Sequence, residues 1–241
     1  MSIYDYMNEY DVACAMADGT FSSPQKYMGI SLYKMRITGT DVAVRFGSDD
    51  KPNEIVFRDP ALYLTQSFLD RCQGLPVIWE HPEGSVLNSD EFRDRMIGVI
   101  VCPYIVDHLG EVWGIAKIYD EDAITLLDNQ RLSTSPSVVF HAVNDNRTIS
   151  LSSGDVLLIE GVPALLDHLA VCEAGVWDKS LTPYGVISER AGAAKSDALP
   201  GPIATPAGAG GDPEPMLQTP GWVKGDTLTW TDGSKSNGFS F

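Results

Sequence analysis

Three serines alternate along Arg131-Leu-Ser-Thr-Ser-Pro-Ser-Val-Val-Phe140. If that stretch is extended, Ser133, Ser135 and Ser137 point to one side of a strand, because side chains alternate with period two. A serine hydroxyl is a weak nucleophile at its own pKa. It needs a neighbouring base, usually histidine, and the base needs a partner that orients it. The partner is normally a carboxylate, but a second imidazole can hydrogen-bond to the first ring and do the same job less strongly. The chain has four histidines: His81, His108, His141 and His168. His81 follows a buried-looking strand and precedes Pro82. His168 lies inside the apolar run Leu165-Leu-Asp-His-Leu-Ala-Val171. His108 falls in a hairpin turn and His141 ends the serine strand, so both read as surface residues. Spacing alone also fits an ordinary polar strand face for the serines and a core residue for His168, and no GxSxG elbow is present.

Metal binding is the competing use of His81 and His168, with Glu80, Asp107, His108 and Asp167 as further donors. The sequence has no HExxH or HxH pair, so no metal site is assigned. It has no GxxxxGK[ST] or GxGxxG either, so nucleotide chemistry has no support and no cofactor is expected. Cys14, Cys72, Cys102 and Cys172 lie far apart without a CxxC pair, which reads as reduced thiols used for packing in a cytoplasm.

Strands must carry these groups. Ile30–Ile37 and Asp41–Phe46 alternate as strands, with residues 38–41 as the turn between them. Glu54–Phe57 is a short strand. Residues 59–72 read as one helix, with Asp59 as N-cap, Pro60 at its first position and Gly74 as its stop. Leu75–Trp79 runs as a strand into Glu80-His81-Pro82. Residues 95–102 and 112–119 form a strand pair around an Asp107–Gly110 hairpin. Residues 120–129 are helical, with Ala123, Leu126 and Leu127 inward. The serine strand follows, then strands near 148–152 and 155–160, and Asp167–Cys172 is the last. Near the N-terminus Tyr4, Tyr6, Met7 and Tyr10 are spaced for a short helix face, or the segment is an arm.

The chain of 241 residues suits one sizeable domain with appendages, and its 44% hydrophobic content is that of a globular protein. A net charge of −16 repels phosphate backbones, which argues against nucleic acid as a partner. No apolar run reaches the roughly 18 residues of a membrane span, and no basic signal-peptide start is visible, so no membrane partner is expected. Three regions result: an N-terminal arm (1–27), a folded domain (28–188) and a flexible Ala/Gly/Pro-rich tail (189–241) with a terminal hairpin in its Trp-containing segment. The fold class is α+β and β-rich, barrel-like, with short flanking helices.

In this order the segments resemble those of the tailed-phage prohead (capsid maturation) proteases, relatives of herpesvirus assemblin. Gly74-Leu-Pro-Val-Ile-Trp-Glu-His-Pro82 resembles the family's segment with the first catalytic histidine. Ile97-Gly-Val-Ile and Ala116–Ala123 resemble the strands and helix start before the nucleophile. Leu132-Ser-Thr-Ser-Pro-Ser resembles the nucleophile strand, and Asp167-His-Leu-Ala-Val171 the segment with the second histidine. The resemblance covers about residues 28–180. It implies an assemblin-like β-barrel and a Ser-His-His endopeptidase made in the host cell cytoplasm and working inside the assembling prohead. Its partners would be scaffold and capsid proteins as substrates, the chain itself by self-cleavage, and further copies by self-association. Carried over, His81 is the general base, His168 its orienting partner, and Ser135 the preferred nucleophile with Ser133 as the alternative. The family's glycine two residues after the nucleophile is replaced here by Ser137 or, if Ser133 is catalytic, by Ser135.

Overall fold

The computed structural model describes residues 6–45, 52–84, 86–141, 146–178 and 184–189, together with the backbone of 227–231 and 235–236. In chain order the elements begin with α1 (Glu9–Ala17), β1 (Gln25–Tyr27), β2 (Ile30–Gly39), β3 (Asp41–Arg45) and β4 (Glu54–Arg58). They continue with α2 (Pro60–Tyr63), α3 (Gln66–Cys72), β5 (Pro76–Trp79), α4 (Ser89–Arg95), β6 (Met96–Val106) and β7 (Glu111–Ile118). Then come α5 (Glu121–Asn129), β8 (Ser133–Phe140), β9 (Arg147–Ser150), β10 (Val156–Glu160), β11 (Leu165–Cys172) and β12 (Val186–Ile187). The terminal hairpin is β13 (Thr227–Thr231) with β14 (Lys235–Ser236). No helix among the described residues is long and apolar enough to cross a membrane.

The main sheet has the order β1-β2-β7-β6-β5-β11-β8-β13-β14, and β12 pairs with β2. It curls into a half-barrel, because residues 184–187 tie β2 to β8. Val186 and Ile187 pair with Met35 and Lys34 of β2, while Val186 N donates to Leu132 O at 3.2 Å. Thr134 Oγ1 closes the gap by donating to Arg36 O at 2.5 Å. Two glycines fit where nothing larger does. A Cβ on Gly175 would lie 2.3 Å from Thr134 O, and a Cβ on Gly185 would lie 2.3 Å from Thr134 N. The N-terminal end of the serine strand is thus gripped on both sides by backbone.

Alternation along β2 explains the packing of the sheet. Tyr33, Met35 and Ile37 face a core shared with Phe68 of α3, Leu127 of α5 and Leu169 and Val171 of β11. Leu32 faces the other way and, with Ile115, receives Val12, Ala13 and Met16 of α1. A second sheet, β3-β4-β10-β9, buries a charged cluster. There Arg58 pairs with Glu160, and Arg45 bridges Glu54 at 2.6 Å and Glu160 at 3.1 Å.

Three local expectations change. Residues 59–72 form two helices, because Thr65 Oγ1 accepts from Phe68 N at 3.2 Å and starts a new helix after Leu64 leaves helical geometry. A side-chain acceptor competing with the backbone is what makes threonine a cap. Residues 38–41 do not make a hairpin. β2 runs to Gly39, and Asp41, with φ +66°, redirects the chain so that β3 pairs with β4 in the second sheet. At the N-terminus the helix starts at Glu9, capped by Asn8, and buries Val12, Ala13 and Met16, while Tyr6 and Tyr10 are exposed. Tyr4, Phe46 and residues 190–226, most of the segment expected to be a tail, lie outside the described residues.

Candidate active site

His168 belongs to β11 and is fully buried. Strict alternation would send Asp167 and His168 to opposite faces of the sheet. The pairing of β11 with β8 slips between Leu166 and His168, so Asp167 is the extra residue of a bulge. A bulge re-aims a side chain, and here it brings neighbouring residues together. Asp167 Oδ2 accepts from His168 Nδ1 at 2.7 Å and from Leu87 N at 2.9 Å.

His81 reaches the same place from β5. That strand runs parallel to β11, with Trp79 beside Val171, and Glu80 N donates to Val171 O at 3.0 Å. Glu80 then takes φ +56° and turns the chain, leaving its own side chain in solvent. The His81 ring returns toward β11, where Nδ1 lies 2.8 Å from His168 Nε2.

The order of these contacts fixes the protons. A carboxylate only accepts, so Nδ1 of His168 is the donor to Asp167. Nε2 of neutral His168 is then an acceptor, and Nδ1 of His81 donates to it. Neutral His81 is left with a lone pair on Nε2, an atom that is itself buried. A histidine in that tautomer has the lone pair a general base needs, and an imidazolium at that position would be stabilised by His168 with Asp167 behind it.

The serines occupy the neighbouring strand. β11 pairs antiparallel with β8, placing Ser137 across from His168, Ser135 across from Ala170 and Ser133 across from Cys172. The serines are 0%, 2% and 4% exposed at 133, 135 and 137. Ser133 Oγ donates to Asp178 Oδ1 at 2.8 Å and receives Arg36 Nη2 and Gly185 N, each at 3.3 Å. Ser135 Oγ is buried and has no hydrogen-bond partner among the described residues. Between the two points where the His81 segment meets β11, namely Val171 and His168, the residue facing the same way as His168 is Ala170. Its cross-strand partner is Ser135.

The structure thus joins His81 to His168 and sets Ser135 on the adjacent strand, without a hydrogen bond between Ser135 and either ring. Ser133 is committed to Arg36 and Asp178. His108 and His141 are exposed and away from these contacts. Asp167 was visible in the sequence only as a possible metal donor. Its neighbour His168 was the signal, but strand periodicity argued against a contact between them. Ser137 was legible as the third alternating serine. Among the described residues no group of three or more His, Cys, Asp and Glu side chains is placed to hold a metal ion. Comparison with protein-family models, curated proteins and solved structures finds no match for the chain.

Proposed function

We propose that this chain is a serine endopeptidase with a Ser-His-His constellation on an assemblin-like half-barrel, acting in phage head maturation. The observation that carries the reading is the directed hydrogen-bond chain Asp167–His168–His81, which ends in a lone pair on His81 Nε2. Ser135 is the nucleophile in this reading and Ser133 the weaker candidate, since the Ser133 proton already serves Asp178. His81 takes the Ser135 proton as Oγ attacks the peptide carbonyl carbon. It then returns that proton to the leaving amine, and water repeats the cycle on the acyl-enzyme. Catalytic hydrogen bonds are often long before substrate binds, and in this reading the Ser135–His81 hydrogen bond forms in the substrate complex. Scaffold and capsid proteins inside the prohead, within the host cytoplasm, are the substrates this reading implies, together with the chain's own tail.

A second reading, a head structural or assembly protein that keeps the protease fold without activity, draws on a specific observation. Ser135 is 2% exposed and His168 fully buried, so a peptide carbonyl must first gain access. Intact mass spectrometry separates the two readings, using wild type, Ser133→Ala, Ser135→Ala and His81→Ala with and without scaffold and capsid substrates. The protease reading expects cleavage by wild type and Ser133→Ala, and none by Ser135→Ala or His81→Ala. A wild-type chain that cleaves neither itself nor those substrates, and takes no label from a serine-reactive phosphonate, leaves the structural reading.

A further inference from the structure

Two of the four cysteines meet, 88 residues apart in the chain. Cys14 Sγ on α1 lies 2.8 Å from Cys102 Sγ on β6. That is closer than two sulfurs at rest and less than an ångström longer than the about 2.05 Å of a disulfide bond. Both residues are half-buried, so small reagents can reach them, whereas Cys72 and Cys172 are buried. The backbone at Cys102 is equally unusual. It has φ +48°, at the point where β6 slips against β7 between Val101 and Tyr104. A left-handed bulge position costs any residue with a Cβ and is most cheaply filled by glycine or asparagine. Here it holds a cysteine, and the bulge aims that sulfur at α1. The helix is already seated there by Val12, Ala13 and Met16 against Leu32 and Ile115, so the sulfurs have less than an ångström left to close.

We propose that Cys14 and Cys102 form a dithiol site that small-molecule disulfides oxidise to an intramolecular disulfide, stapling α1 to the half-barrel. The Cys14 thiolate attacks the small disulfide, forming a mixed disulfide and releasing one thiolate. The Cys102 thiolate then attacks the Cys14 sulfur, forming the Cys14–Cys102 bond and releasing the second. Two cysteine thiols are oxidised, one disulfide is reduced to two thiols, and the two cysteine protons end on the released thiols. Burial pushes the Cys102 thiol up to about 11, so its thiolate is scarce at neutral pH, and it is the 2.8 Å approach of the two sulfurs that favours the second, intramolecular step. The Tyr10 hydroxyl stands beside both sulfurs. Its pKa is raised to about 12, first by its hydrogen bond with Cys102, so it stays a proton donor to a nearby thiolate. In a reducing cytosol the pair stays open, and in oxidising surroundings it closes.

The full chain is incubated with oxidised glutathione and its intact mass, disulfide-linked peptides and melting temperature are measured. The result expected is a chain lighter by about 2 Da, a Cys14–Cys102 linked peptide, and a higher melting temperature that dithiothreitol reverses. Cys14→Ser and Cys102→Gly each abolish all three changes. Cys102→Gly suits the left-handed backbone and so keeps the fold while removing the sulfur. Persistent glutathione adducts on either cysteine, linkage through Cys72 or Cys172, or an unchanged mass would each overturn the proposal. None of these outcomes depends on proteolytic activity.

Discussion

At one end of β8 the Ser133 hydroxyl sits among an arginine, an aspartate and a backbone amide, and each of its contacts is matched. Arg36 in turn donates to Trp177 O at 2.9 Å, pairs with Asp178 at 2.5 Å and lies 3.5 Å from Glu111. Glu111 accepts from the Trp113 indole at 2.8 Å, and Asp178 accepts from Gly175 N at 2.8 Å. Two residues along the same face, Ser135 is just as buried and its hydroxyl has no partner among the described residues. A buried hydroxyl left unmatched costs about 1–3 kcal/mol. The first arrangement recovers that cost by holding β2, β8 and the loop at 175–178 in place. The second leaves the cost standing one strand away from a histidine pair whose outer nitrogen is the base in the proposed reading. A satisfied polar cluster fixes a fold, and an unsatisfied one next to a polarised donor chain is where a proton can move.

The largest effect that would break this contrast is on cleavage. On the proposed protease reading, Ser135→Ala and His81→Ala should each lower the rate by at least about 10⁴-fold, measured on a scaffold-derived peptide, because members of such a unit act together. Ser133→Ala should retain most of the activity that its lowered stability permits. An inactive Ser133→Ala chain with wild-type melting behaviour would exchange the roles assigned to the two serines. Next comes the clasp itself. Asp178→Ala strips the buried Arg36 of its closest carboxylate and should cost about 3–5 kcal/mol in a urea melt, as breaking buried pairs does. A loss below about 1 kcal/mol would mean that Glu111 alone neutralises Arg36.

The middle of the scale tests the relay. Asp167→Asn keeps the shape but weakens the hydrogen bond that orients His168. The loss of charge assistance, about 1.5–3 kcal/mol in the transition state, should slow cleavage about 10–100-fold while binding changes little. An unchanged rate would show that the bulge positions His168 without help from the carboxylate. Ser133→Ala is of similar size but shows in stability, since Arg36, Asp178 and Gly185 N all lose a partner. Its urea midpoint should fall by the equivalent of about 1–3 kcal/mol.

Much of the scaffold for this contrast could be read from the chain. Period-two alternation marked β8, and apolar runs ending in His81 and containing His168 marked β5 and β11. The paired strands β6 and β7 followed from the turn between them, and the helix α5 from its inward-facing apolar residues. The boundaries that moved did so for local reasons: Thr65 capped a second helix inside residues 59–72, and a left-handed Asp41 sent β3 to another sheet. What stayed hidden depends on contacts distant in sequence or on broken periodicity. The contact of Asp167 with His168 exists only because β11 bulges there, which no alternation rule foresees. The capture of Ser133 by Asp178 and Arg36 joins residues 45 and 97 positions away. Cys14 and Cys102 read as isolated thiols until α1 is laid across β6. The serine strand was therefore legible as a face, but which serine is tied down and which is left over is a property of the assembled half-barrel.

The smallest expected effect is the sharpest test of that division. Ser135→Ala removes a hydroxyl that gains nothing in the folded state, and alanine leaves the backbone and the Cβ in place. The unfolded chain loses a group that water solvates well, while the folded chain loses only an unmatched dipole, so the substitution should be neutral or stabilising by up to about 1 kcal/mol. Thermal or urea melts of wild type, Ser133→Ala and Ser135→Ala measured together should place Ser133→Ala below wild type and Ser135→Ala at or above it. If Ser135→Ala instead destabilises as much as Ser133→Ala, its hydroxyl does have a partner in solution. His81 Nε2 is then the first group to examine, by following the His81 imidazole proton resonances in both variants. A shift confined to Ser135→Ala would mean that the serine and the base already touch before substrate arrives.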